Sequence, residues 1–484
     1  MIVLKRHSSA LLLAIPVLVV IFFSFINRHY ELDDALIYLR YIRNYQDEYG
    51  LVYNPGEYFN ALTSPLFIYL TLFAATAISN PHIAVVTISC LSFALASLFA
   101  GQIFSDNKSE ATLTAVVVAS FNYFYSTFGL ETPLFLMLIV ISLYLYKINS
   151  TYFVVALALL IITRAEGIFL AIPMVVDYLL RYKKLPPIAP VFIASIILIT
   201  PFVFNYFYYG AALPGTASAK LAQGQSGYWG DGWIFLKAEY LIDWAFSNSK
   251  IVAFCFISLA LYGVFVLRQS RVAIIALAFL VLLLLFYVGL NIPNYHWYYS
   301  PFFLLLLIFA CKGLWCLASL RPFNGRFENR AFVVCTIAAA IFLFTKVVSF
   351  QERGRVETYA NIGVWISQNT SRDASVGLVE IGTVGWYANR KIIDILGLVN
   401  KYNADYIAKR NLYGWLSHYQ PDYILRHEPR WALEESTKLL EDTRAYTPAA
   451  GFHFPGFLLL KKSARYTDRQ IARLARRFEE NRNR

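Results

Sequence analysis

The chain has 484 residues, of which 58% are hydrophobic and only 15% charged, with a mean hydropathy of +0.52. So few charges cannot cover a soluble protein of this size, and apolar runs of about 20 residues recur along most of the length, which specifies a polytopic membrane protein. The net charge of +12 is assigned to loop lysines and arginines and a basic C-terminal tail, not to a nucleic-acid-binding surface.

Lys5 and Arg6 precede an apolar run at 9–26 with no small-residue cleavage site behind it, the pattern of an uncleaved signal-anchor helix. Further apolar runs lie near 64–79, 82–104, 111–127, 132–147, 148–163, 167–181, 188–209, 250–267, 272–290, 301–319 and 331–349. If every run crossed the bilayer, "RYKK" (181–184), "RQSR" (268–271), Arg321, Arg326 and Arg330 would lie opposite the Lys5/Arg6 end, against the positive-inside rule. The run 64–79 is short and opens with "TSP". Letting it enter and leave on one face returns all these cations, with Lys108 and Lys147, to the cytoplasm. The expected architecture is an α-helical membrane protein of about eleven transmembrane helices, with 64–79 as a juxtamembrane helix in a large first outer loop, 27–81. The runs 148–163 and 167–181 are short for full crossings, so "TRAEG" between them is expected to dip into the membrane. The outer face then collects 27–81, 128–131, 164–166, 210–249, 291–300 and everything after 350, and the unusual polar residues lie almost entirely there.

The chain divides into a transmembrane module, 1–349, and a C-terminal domain, 350–484. In the latter "ASVGLVEIG" and "GFLLLKK" read as strands and "WALEESTKLLED" as a helix, giving a small α/β domain on the outer side. The closing "DRQIARLARRFEENRNR" reads as an Arg-rich helix with a charged surface or lipid-headgroup contact. Cys90, Cys255, Cys311, Cys316 and Cys335 lie within apolar runs without CxxC or metal spacing, so they are core thiols.

Five outer segments carry candidate chemistry. In "ELDDALIYLRYIRNY", helical spacing puts Leu32, Leu36, Leu39 and Arg43 on one face and Asp34, Tyr38, Tyr41 and Tyr45 on another, an amphipathic interfacial helix. Asp33 could cap it and Asp34 favour its dipole. Adjacent carboxylates also repel, which raises one pKa and suits a general base or a metal-assisted site. In "GLETPLF", Glu131 is either an acid at a helix start or a group facing the same cavity. In "TRAEG", Arg164 and Glu166 either pair to close a hairpin or leave Arg164 to hold a phosphate. "LPGTASAK" offers Gly215, Thr216 and Lys220 as an anion-binding loop. "NIPNYHWYYSPFF" places His296 and Trp297 in an aromatic belt, or else His296 on a lipid phosphate with the rings stacking on a sugar. Tyr38 and Arg40 are further substrate-binding candidates. No Walker motif, GxGxxG, HExxH or GxSxG appears, so a soluble nucleotide-cofactor site is not expected.

Taken in order, "DDALIYLRYIRNY…GLVYNPGEYFNALTSPL", "GLETPLF", "TRAEG", "LPGTASAK" and "EIGTVGWYANRKIIDILGLVN" resemble GT-C membrane glycosyltransferases. The resemblance is to the branch of the mycobacterial terminal β-(1→2)-arabinofuranosyltransferase and pilin arabinosyltransferases, and it spans most of the chain. It implies a GT-C fold and a polyprenyl-phosphate sugar donor, typically decaprenyl-phosphoryl arabinofuranose. It further implies a glycan or glycoprotein acceptor outside a bacterial inner membrane, with the active site and C-terminal domain facing the periplasm. Family carboxylates of the first outer loop map onto Asp33 and Asp34, with Asp33 favoured as the reactive one. The sequence departs from the family at Ala165, where members often have Pro, and at Gly215, where they often have Asn. A divalent cation bridging acids and phosphate is compatible with these residues, though no ligand spacing demands one, and no other cofactor is called for. The competing expectations are a mannosyl- or other hexosyltransferase on the same carrier, and a secondary transporter. Transport would call for inverted repeats and midplane charges, neither of which the sequence has.

Overall fold

A computed structural model describes residues 2–28, 32–237, 245–246, 249–318 and 353–482. The expected helix at 331–349, Cys335, Arg321, Arg326 and Arg330, and the 349/350 boundary lie outside the described residues.

The helical module runs α1 (Ile2–Ile26), α2 (Asp33–Gln46), α3 (Pro65–Ala77), α4 (Pro81–Ile103), α5 (Lys108–Ser120), α6 (Thr132–Lys147), α7 (Phe153–Thr163), α8 (Ile168–Tyr182), α9 (Ile188–Tyr209), α10 (Gly215–Ser226), α11 (Lys250–Val266), α12 (Arg271–Leu290) and α13 (Ser300–Ala318). Capping chemistry sets several of the starts. Asn80 accepts the His82 N–H at 2.9 Å at the head of α4, Asn107 accepts the Glu110 N–H at 3.0 Å at α5, and Ser270 takes the Ala273 N–H at 3.4 Å at α12. Among the described residues α4, α9, α12 and the stretch His296–Ala318 are long and apolar enough to cross a membrane, while α3, α6, α7 and α11 are shorter apolar helices. Ile188, Phe192 and Phe207 of α9 stand exposed, as expected of a helix bathed in lipid.

Two apolar runs are interrupted. The run at 111–127 breaks at Phe121: α5 ends at Ser120, and Asn122–Thr127 form a tight 3-10 turn that leads into Gly129. The run beginning at 148 enters α7 only at Phe153, because Asn149 takes a left-handed conformation (φ 55°).

The C-terminal part is a small mixed sheet of five strands, β1 (Ser375–Leu378), β2 (Lys391–Asp394), β3 (Tyr423–His427), β4 (Tyr446–Pro448) and β5 (Phe457–Lys462), in spatial order β2-β1-β3-β5-β4. β1 runs parallel to β2 and β3, whereas β5 runs antiparallel to both β3 and β4. Both expected strands are present as β1 and β5. The expected helix over 431–442 divides into a 3-10 turn, Ala432–Glu434, and a helix, Ser436–Asp442. The Arg-rich C-terminal segment is the helix Asp468–Arg482. Its charged face is solvated, but Ile471 and Ala475 pack against Trp415 and Leu416, and Phe478 lies 4.6 Å from the Tyr413 ring. An apolar stripe therefore docks this helix on its own domain.

The two parts share one core. Tyr359, Ile362, Val376 and Leu378 of the sheet domain belong to the same buried cluster as Tyr41, Tyr53 and Phe124 of the helical module. The consequence for the site is that α2 is gripped from both sides.

Candidate active site

The α2 helix brings Asp33 and Asp34 to the seam between the two parts. The Asp33 carboxylate does not cap its own helix. It accepts the backbone N–H of Thr383 at 2.7 Å and of Gly382 at 3.2 Å, at the head of the short helix Thr383–Ala388. Gly382 is required there, because a methyl group on it would overlap the Asp33 carbonyl. Capping, one of the two roles open to the acid pair, thus falls to Asp33, but for a helix of the other domain.

Asp34 is half-buried and turned toward the helical bundle. Loss of water around it, reinforced by the Asp33 and Glu131 carboxylates and only partly offset by the Lys220 ammonium, lifts its carboxyl from 3.8 to about 7. The adjacent acids therefore have divided roles: one is locked to backbone amides, the other is held near neutrality.

Glu131 reaches this region through Gly129, whose positive φ of 96° turns the chain sharply between the 3-10 turn and α6. Its side chain makes no cap bond; instead Oε1 accepts from Arg164 Nη1 at 3.1 Å and Oε2 from the Tyr38 hydroxyl at 3.4 Å. Tyr38 also shares a 2.9 Å hydrogen bond with Thr63. Arg164 leaves α7 in extended backbone, and its second nitrogen bonds Glu166 Oε1 at 2.7 Å. The hairpin ion pair is present, and Glu131 makes it a triad. The guanidinium also lies 5.2 Å from the centre of the Tyr298 ring. Lys220 of α10 completes the group, its Nζ donating to the Tyr298 hydroxyl at 2.6 Å. Tyr287 approaches Glu166 at 3.4 Å from α12.

Asp34, Tyr38, Glu131, Arg164, Glu166 and Lys220 are thus brought together, and three expected ligand-binding residues are placed otherwise. Arg40 is committed to the seam: its guanidinium donates to the carbonyls of Tyr53 (2.8 Å), Gly385 (2.6 Å) and Arg390 (2.6 Å) and to Asn54 Oδ1 (3.1 Å). It is a structural rivet, because backbone oxygens already occupy its fork. His296 has Nε2 3.2 Å from the Ser126 carbonyl, and its own carbonyl accepts from Tyr123. Trp297 stacks on Tyr295 with ring centres 4.5 Å apart and planes 9° from parallel.

Tyr298, Tyr287, Gly382 and Thr383 were not singled out by the sequence. Tyr298 is the next residue after the chosen His296–Trp297 pair, and its distinction is only that two cations lie 5.2 Å from its ring centre. Gly382 and Thr383 act through backbone groups, which carry no residue signature.

Residues 348–473 match a family model described only as a domain of unknown function (DUF8728). No curated protein sequence matches the chain. Among solved structures, ArnT from Cupriavidus metallidurans bound to undecaprenyl phosphate aligns with a TM-score of 0.63 at 13% identity, covering 95% of this chain and 98% of that one. The same protein in its apo state gives 0.60 at 13% identity, covering 95% and 99%. The Archaeoglobus fulgidus oligosaccharyltransferase, in complex with zinc and sulfate, gives 0.55 at 13% identity, covering 86% of this chain and 68% of that one. These likenesses show the architecture: a polytopic helical module with a C-terminal sheet domain, the GT-C fold of ArnT.

Proposed function

We propose that the chain is a glycosyltransferase that moves a sugar from a polyprenyl-phosphate carrier to a glycan or glycoprotein acceptor on the outer side of a bacterial cytoplasmic membrane. The donor assigned is decaprenyl-phosphoryl D-arabinofuranose, which rests on the ordered motif resemblance. The carrier class is further supported by the shared fold of ArnT, whose structure holds undecaprenyl phosphate. The observation that carries the proposal is the half-buried Asp34 carboxyl, raised to about 7 beside the Lys220 ammonium.

The chemistry follows from these groups. The bond between the anomeric carbon and the phosphate oxygen breaks, and the polyprenyl phosphate leaves with the electron pair. The acceptor hydroxyl oxygen bonds to that carbon, and its proton passes to Asp34, whose raised pKa matches a general base working near neutral pH. Lys220 meets the leaving phosphate, since its present partner is a neutral tyrosine that a phosphate can replace. Arg164, tied to Glu131 and Glu166, holds the cluster in shape. Asp33 acts as a positioning residue, fixing the first turn of α2 through Gly382 and Thr383.

A bridging divalent cation would find the Asp33 and Glu131 oxygens already engaged. Both Asp33 oxygens accept backbone amides and both Glu131 oxygens accept side-chain donors. Among the described residues no group of three or more His, Cys, Asp or Glu assembles as a metal site.

The test is to incubate purified protein with a panel of polyprenyl-phosphate sugars and score which is consumed. Consumption of the arabinofuranosyl donor by the wild type but not by Asp34→Asn is the expected result. Consumption of a mannosyl donor alone would reassign the sugar. Consumption of none, with uptake of a solute into proteoliposomes, would replace the enzyme by a transporter.

A further inference from the structure

The helices that build the carboxylate cluster carry a second feature at their far ends. α6 starts beside Glu131 and ends at Lys147, α7 starts at Phe153 and ends beside Arg164, and α8 starts after Glu166 and ends at Tyr182. Where the ends at Lys147, Phe153 and Tyr182 meet, a recess of about 420 Å³ is lined by Tyr146, Asn149, Phe153, Tyr178, Arg181 and Lys184 among others.

Its charge is one-signed. No Asp or Glu lines the recess. Asp177, which contacts the lining residue Tyr146, is taken by the Tyr146 hydroxyl and by Arg271 at 3.2 Å. Arg181 is held in place rather than left to wander: Nη1 donates to Asn149 Oδ1 at 2.9 Å, and its guanidinium lies 4.9 Å from the centre of the Tyr182 ring. Asn149 also accepts from the Tyr182 hydroxyl at 3.1 Å. Asn149, Arg181 and Tyr182 all line the recess.

Helix length explains why the recess exists. α7 has 11 residues and α6 has 16, against 22 in α9. At 1.5 Å per residue these are about 17, 24 and 33 Å, beside a hydrocarbon layer of about 30 Å. A short hairpin leaves a step beside longer helices, and the recess is walled by aromatic rings and lined by Arg181 and Lys184.

We propose that this recess binds the headgroup of an anionic phospholipid from the leaflet opposite the Asp34 cluster. The phosphodiester lies against Arg181 and Lys184 and the glycerol against Tyr146 and Tyr178. The Arg181 fork suits a phosphate, and the aromatic walls and the exposed Leu185 suit the apolar part of a lipid, which a free anion lacks. Occupancy braces α6, α7 and α8 against one another at the ends remote from Glu131 and Arg164. The inference rests on the geometry of these ends and holds whatever the cluster does.

The experiment uses the full chain in phosphatidylcholine nanodiscs with or without phosphatidylglycerol, and reads retained lipid by native mass spectrometry. The wild type should retain phosphatidylglycerol and Arg181→Gln/Lys184→Gln should retain about tenfold less. Arg268→Gln, a basic change outside the recess, should behave as wild type. Equal retention in wild type and double variant overturns the proposal, as does an equal loss in Arg268→Gln. Displacement of the lipid by inorganic phosphate overturns it in favour of a free-anion site. Should the double variant misfold, a phosphatidylglycerol photoprobe on the wild type decides: cross-links within 146–187 support the site, and cross-links only elsewhere overturn it.

Discussion

Asp33 and Thr383 are joined by a 2.7 Å hydrogen bond across 350 positions of sequence, so the start of α2 and the sheet domain hold each other in register. That bond separates the two adjacent acids. Asp33 accepts two backbone amides and Asp34 carries the raised pKa, although Asp33 is the one favoured as reactive in the sequence reading.

Replacement of the two acids should therefore give different defects. Asp34→Asn is expected to lower kcat by about 10²- to 10⁴-fold with expression and monodispersity intact. Asp33→Ala should lose a cap worth about 1 kcal/mol and show it as a lower unfolding temperature. Paired transfer assays and thermal melts check this, and an Asp34→Asn enzyme at wild-type rate would end the catalytic assignment.

The pH dependence has a worked sign. A base must be ionised, so the rate should rise with pH and level off above about 7. Folding raises the Asp34 pKa from 3.8, so the folded chain keeps a proton that the unfolded chain has released, and stability falls as pH climbs from 3.8 to about 7. Asp34→Asn has no charge to bury. Its melting temperature should match wild type at low pH and exceed it at high pH, measured by scanning fluorimetry.

Arg40 provides a test of the seam. A lysine at this position keeps the charge but cannot serve three carbonyls and an amide at once. Arg40→Lys should cost about 3 kcal/mol or more and open the sheet domain to limited proteolysis, with the KM of any remaining folded enzyme unchanged. A raised KM in a fully stable variant would return Arg40 to the substrate site.

Lys220→Met should raise the KM for the lipid donor or lower kcat by about tenfold or more, since a charge-assisted contact to phosphate is worth about 1.5–3 kcal/mol. Donor titration with purified protein reads it. Topology has its own check: a cysteine in place of Lys183 should react with an impermeant reagent only from the cytoplasmic side.

Much of this site is legible in the sequence, because in an apolar chain an ionisable residue at the end of a hydrophobic run is conspicuous. The positive-inside count places Asp34, Glu131, Arg164, Glu166 and Lys220 on one face, and they do form one cluster. Arg40 shows where such reading stops. Its partners are the carbonyls of Tyr53, Gly385 and Arg390, and nothing in a carbonyl's own residue announces it as an acceptor. His296 fails for a related reason: a histidine among tyrosines looks the same whether it faces a ligand or the Ser126 carbonyl. The breaks at Phe121 and Asn149 are local backbone choices that hydropathy averaging smooths away.

The fit between Gly382 and Asp33 also fixes an order of events during synthesis. The helical module emerges and inserts first, but the start of α2 acquires its backbone clamp only when residue 383 has been made and the sheet domain has closed over it. A nascent or truncated chain holds both aspartates without the clamp that tells them apart. A segment made 350 positions later thus completes the start of α2.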